Sequence, residues 1–104
     1  MATTKDYILY VCERIGDIGD VRYRSMMGEY IVYINDKPII TVCENTCYVK
    51  ELPIIEDLMK DESKGYPYEG AKEHYILDIE NIDLCFEVLK ILESVTPLPK
   101  KRKK

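Results

Sequence analysis

His74 is the one histidine of the chain, and Cys12, Cys43, Cys47 and Cys85 are its only thiols. Any chemistry that needs an imidazole or a thiolate must run through these five residues. No serine or cysteine nucleophile lies at a recognised motif spacing from His74, although groups distant in sequence can still meet in a fold. A histidine opening an extended segment before Tyr75 is more often a surface or hydrogen-bonded structural residue, so no catalytic residue is assigned. The cysteines lack the Cys-x-x-Cys spacing of zinc and thioredoxin-type sites, and one histidine with scattered thiols makes no ligand set. No metal or cofactor is expected. In a reducing compartment the four read as free thiols, Cys12 and Cys85 serving as small hydrophobes on helix faces. Cys43 and Cys47 flank a turn. A two-residue loop at Glu44-Asn45 puts their side chains on opposite faces of a hairpin, whereas a three-residue loop would let them bridge or bind metal.

Two other groups of residues could bind rather than catalyse. Arg22 and Arg24 alternate on one face of an extended segment, where a guanidinium can take a carboxylate or phosphate from a partner or an ion pair from the chain's own acids. Nine tyrosines, one phenylalanine and no tryptophan make a skewed aromatic set suited to half-exposed surfaces. Tyr30, Tyr33 and Tyr48 read as sheet packing. Tyr66, Tyr68 and Tyr75 flank the least regular segment and could line a groove for a peptide or small ligand, with Tyr68 and Tyr75 the candidate binding residues.

Composition narrows the class. With 104 residues, 46 % hydrophobic and 33 % charged, the chain suits one soluble domain. No apolar run approaches the roughly 20 residues of a spanning helix, which argues against a membrane role. The N-terminus lacks the pattern of a signal peptide, so a cytoplasmic location is expected. The net charge of −4 is uneven, because Lys100, Lys101, Arg102, Lys103 and Lys104 supply five of fifteen basic residues. Without them ten basic residues face nineteen acidic ones, a body charge of −9. Such a body repels a phosphate backbone, and only the tail can attract one, weakly and with strong salt dependence.

The elements that must position these residues follow from period and turn chemistry. Thr3 or Thr4 caps a first helix whose Ile8, Val11, Cys12 and Ile15 share a face, and Gly16 stops it. Extended segments follow at about 21–27, 29–35, 38–43 and 46–50, with hairpin turns at Asn35-Asp36 and Glu44-Asn45. Pro53 opens a short helix carrying Ile54, Ile55, Leu58 and Met59. Tyr66-Pro67-Tyr68 and His74-Tyr75-Ile76-Leu77 are candidate strands, the first at an edge because proline cannot donate to a ladder. Asn81 caps a last helix with two apolar stripes, one through Ile82, Cys85, Phe86, Leu89 and Leu92, the other through Leu84, Val88, Ile91 and Val95. The expected fold is α+β: a two-layer sandwich of an antiparallel sheet of five to six strands with helices on one face, in the order α-β(3-4)-α-β(2)-α. Residues 1–96 form one domain and 97–104 a disordered basic tail.

The run Arg24-Ser25-Met26-Met27-Gly28-Glu29-Tyr30-Ile31-Val32-Tyr33 is the most specific string in the chain. It is followed by Asn35-Asp36-Lys37, Tyr48-Val49-Lys50, Tyr68-Glu69-Gly70-Ala71-Lys72 and His74-Tyr75-Ile76-Leu77. This order resembles the TfoX (Sxy) N-terminal domain, a small bacterial module, over roughly positions 6 to 95. Family members usually carry an aromatic residue and two glycines where this chain has Met27-Gly28-Glu29. Gly28 is kept, and glycine there permits a bulge or close backbone approach between two strands. The resemblance implies a module that binds other proteins, because its fold is similar to that of secretion-chaperone-like proteins. Well-known members regulate natural competence with the cyclic-AMP receptor protein and carry a further C-terminal domain, so this chain resembles the stand-alone branch.

Together these readings predict a non-enzymatic regulatory or adaptor module acting in transcription or competence-type regulation. A protein partner is expected through the motif strand pair at Arg24, Met26, Gly28 and Tyr30, with Tyr68 and Tyr75 as further candidate binding residues. A homodimer, and nucleic acid bound through Lys100–Lys104, are the other partners considered, and a small thiol- or histidine-dependent enzyme is the remaining alternative.

Overall fold

Four non-glycine residues with positive φ set the sheet: Asn35 and Asp36 at 53° and 69°, Glu44 and Asn45 at 50° and 57°. Paired left-handed residues make the two-residue hairpin turns whose twist matches that of the flanking strands, and asparagine and aspartate tolerate that conformation. In the computed structural model, which describes residues 3–26 and 29–98, these turns join β2 (Glu29–Ile34), β3 (Lys37–Cys43) and β4 (Thr46–Lys50). Preceding them is β1 (Val21–Met26). The four strands form the expected antiparallel meander. Two short strands, β5 (Lys64–Gly65) and β6 (His74–Ile76), complete a six-stranded sheet in the order β1-β2-β3-β4-β6-β5.

Register decides what each face holds. Val32 opposes Ile40 while Tyr33 opposes Pro38, so Ile39 is an extra residue and β3 carries a bulge there. Pro38 is tolerated beside that irregularity. Val42 opposes Cys47 and Cys43 opposes Thr46. The Glu44-Asn45 loop is therefore the two-residue form, and the side chains of Cys43 and Cys47 point to opposite faces.

Helices cover one face. The first, α1 (Lys5–Arg14), starts at Thr4, whose hydroxyl oxygen accepts the Tyr7 amide at 3.2 Å, with Asp6 in the first turn and Arg14 in the last. It ends at Arg14 with Ile15 as its C-cap, and Gly16 then opens a 3-10 turn, Gly16–Ile18. After β4, Pro53 starts a second 3-10 turn that runs into α2 (Glu56–Met59). The last helix, α3 (Ile82–Val95), begins after Asn81, which occupies the cap position without a side-chain cap bond, contrary to the expected cap. Ile8 and Val11 of α1, Ile55, Met59, and Cys85, Val88, Leu89 and Leu92 of α3 pack on Val32, Ile34, Ile40, Val42, Cys47 and Val49. Both apolar stripes of α3 contribute, because the helix packs on β3 and on both 3-10 turns.

Tyr66-Pro67-Tyr68 is not a strand. The edge strand lies just before it, at Lys64–Gly65, and the chain then leaves the ladder. Pro67 has no amide hydrogen to offer and is itself buried, so the segment serves as cover rather than as ladder. Gly65 permits this path: a Cβ there would stand 3.2 Å from the Tyr48 ring. At the other end of the sheet, Asn35 clamps the entry to β1. Its amide donates to the Asp20 carbonyl at 2.8 Å, and its side-chain oxygen accepts the Asp20 amide at 3.0 Å. Gly19 leaves room, since a Cβ there would come within 2.9 Å of that oxygen. No helix among the described residues is long and apolar enough to cross a membrane.

Candidate binding surface

The face opposite the helices carries the residues that differ most from a core. Pairing places Arg24 beside Ile31, Met26 beside Glu29, and Thr41 beside Tyr48, all on this open face. Met26, Glu29, Tyr30, Ile31, Thr41 and Cys43 line a groove of about 440 Å³, and Tyr68 closes one side of it. That volume lies within the range of small-molecule and side-chain pockets. Met26 is 49 % exposed and Tyr68 61 %, so two large side chains stand at the mouth in water. Arg24 is exposed and has no ion-pair partner among the described residues, whereas Arg22 pairs with Asp20 at 3.3 Å. The expected ion pair therefore forms at Arg22 and leaves Arg24 available.

Glu29 holds the end of this surface. Its Oε1 accepts the Thr3 hydroxyl at 2.9 Å and the Glu44 amide at 3.2 Å. Thr3 Oγ1 in turn accepts the Asn45 amide at 3.3 Å, and Asn45 Oδ1 accepts the Thr4 amide at 3.0 Å. The start of α1, the β3–β4 turn and the first residue of β2 are thus tied together by a buried threonine and a carboxylate.

Of the candidate residues, the structure brings Met26, Tyr30 and Tyr68 to one groove, with Arg24 on the neighbouring position of the open face. Tyr30 borders the groove while its ring packs edge-on against Tyr23, 5.5 Å between centroids, on the helix-covered side. Tyr75 is not at the groove. It is 4 % exposed, opposite Val49 in the core layer, because β6 alternates and the position between His74 and Ile76 must face the helices. Gly28 and Lys100, Lys101, Arg102, Lys103 and Lys104 lie outside the described residues. Ile31, Thr41 and Cys43 were not singled out from sequence as lining. Alternation from the Glu44-Asn45 turn puts Thr41 and Cys43 on one face of β3, but only the bulge at Ile39, which carries no local sequence signal, brings that face round to Ile31 and Met26.

His74 and the thiols have structural surroundings. His74 Nδ1 donates to the Lys72 carbonyl at 2.7 Å, and the ring sits edge-on to Tyr48. Burial pushes the Cys47 thiol up to about 11, with Cys12 adding to the rise and a hydrogen bond from Tyr7 opposing it. Burial likewise raises Cys85 to about 12, and raises Cys43 to about 11 with help from Glu29 and Glu44. All four thiols are uncombined and stay protonated near neutral pH, the unreactive form.

No family model matches this chain. It is 30 % identical, over 105 aligned positions, to an uncharacterised 12.7 kDa protein in the trpE 5′ region of Spirochaeta aurantia. The alignment covers 99 % of this chain and 91 % of that relative. Identity at this level, from end to end, means that the chain belongs to the same family as this spirochaete protein.

Proposed function

We propose that the chain is a non-enzymatic regulatory module of the TfoX N-terminal-domain type, which docks on a protein partner in the cytoplasm through the open face of β1 and β2. One observation carries this reading: a solvent-exposed arginine without an ion-pair partner among the described residues stands beside an apolar groove with Met26 and Tyr68 at its mouth. Interfaces favour such combinations of arginine, methionine and tyrosine around an apolar centre. Arg24, Ser25, Met26, Glu29 and Tyr30 of the string that carries the resemblance lie in the same two strands. A role in transcription or competence-type regulation follows from that resemblance.

The test is affinity capture from the native host at high salt, followed by mass spectrometry. Wild-type chain retains a discrete protein, and Arg24→Ala or Met26→Ala loses it while circular dichroism stays native. Equal capture by both variants removes this face from consideration. Nucleic acid that is released at high salt and disappears on deletion of residues 99–104 assigns binding to the tail instead.

A further inference from the structure

The sheet has two edges of different character. At one, β5 is two residues long, too short to offer a ladder to another chain. At the other, all six residues of β1 pair with β2 without a register shift, and no described strand pairs with its outer side. Its outward amides and carbonyls form a regular, unbulged template. Proline and bulges, two of the devices that blunt such an edge, are absent from β1, and charge is the one it carries.

Charge is what distinguishes this edge. Arg22 and Arg24 project from the open face, and Lys5 lies 5.8 Å from the centre of the Tyr23 ring on the helix-covered face. Three cations therefore surround one strand in a body of −9. A second copy fits poorly. In an antiparallel two-fold pairing, side chains on the same face must meet, so a dimer centred on Tyr23 sets Arg22 against Arg24. One centred on Arg24 sets that arginine against itself. Like charges directly opposite are unfavourable in a sheet. A strand with carboxylates at alternate positions meets the reverse situation, and the exposed Asp20 pair on Arg22 is weak enough to exchange.

The geometry points to β1 as an acceptor edge for an extended acidic segment of a partner protein. The segment adds as a seventh strand, with carboxylates at every second residue against Arg22 and Arg24. This inference rests on the docking reading above and names the chemistry of the partner. The probe is an acetylated and amidated eight-residue peptide of alternating glutamate and threonine, compared with its lysine–threonine counterpart. Each is titrated at low salt into the isotope-labelled full chain and followed by amide shifts.

The acidic peptide is expected to bind saturably, with shifts concentrated at Val21–Met26, and the lysine peptide is not. Substituting Arg22→Gln and Arg24→Gln together weakens the acidic peptide about tenfold without disturbing the remaining spectrum. Equal responses to both peptides, or shifts centred away from β1, overturn the inference. So does a dimer in sedimentation of the chain alone that protects the β1 amides. If the peptide fails while Arg24→Ala still abolishes partner capture, strand addition falls and docking on the open face stands. If capture is also unaffected, both fall.

Discussion

The two faces of this sheet are built from the same strands and share almost no chemistry. On the covered face, Val32, Ile34, Ile40, Val42, Cys47 and Val49 are sealed under α1 and α3. On the open face, alternate positions of those strands and of β1 carry Arg24, Met26, Ile31, Thr41 and Tyr48, with water or Tyr68 over them. Because successive strand residues point to opposite sides, one sequence can satisfy both demands independently. The difference separates residues that make the fold from residues available for binding.

Substitutions should sort by face. The largest effect is expected from Ile40→Ala, which opens a cavity in the covered layer and should cost about 2–5 kcal/mol in denaturant unfolding. Next comes Glu29→Ala at the boundary between the faces. It removes the carboxylate that the Glu44 amide shares with the buried Thr3 hydroxyl, which as donor keeps only the longer bond to the Val42 carbonyl at 3.4 Å, for a loss of about 1–3 kcal/mol. An effect of Glu29→Ala no larger than that of Arg24→Ala would break the assignment of Glu29 to the fold.

Alkaline pH tests the buried thiols, Cys47 and Cys85 on the covered face and Cys43 on the open one. An unfolded cysteine loses its proton near pH 9.0, whereas Cys47 and Cys85 hold theirs in the folded chain until about 11 and about 12. The contribution of these thiols is complete below pH 9 and is lost as pH rises through the folded values. Tyr7, raised from 10.0 chiefly by burial, adds to the same slope. Stability measured by urea titration should therefore decline from about pH 9 upward, and Cys47→Ala with Cys85→Ala should flatten that decline. The smallest stability effect belongs to Arg24→Ala, within about 0.5 kcal/mol, although it removes partner capture.

Much of the meander was legible in the sequence, because alternation and two turns mark its strands, but the β2–β3 register was not, since the bulge at Ile39 shifts Val32 from Ile39 to Ile40. The Glu44-Asn45 turn even settles Cys43 against Cys47. What could not be read depends on contacts far apart in sequence. Tyr66-Pro67-Tyr68 has the aromatic content of a strand, yet Pro67 is buried as cover while the ladder ends at Gly65. Tyr75 borders the same irregular segment in sequence, yet pairing of β6 with β4 turns it into the core. The groove itself needs β1, β2, β3 and Tyr68 to meet across more than forty residues, a juxtaposition no local pattern contains. Arg24 and Met26 were legible as part of a motif, but the groove that Met26 shares with Cys43 was not.

Hydrogen–deuterium exchange of the chain, free and bound to the protein it captures, tests the binding role of the open face most directly. Protection confined to residues 21–34, with 41–43 and the segment around Tyr68, is the predicted result. Protection centred on the outer surface of α3, with β1 and β2 exchanging as in the free chain, would contradict it.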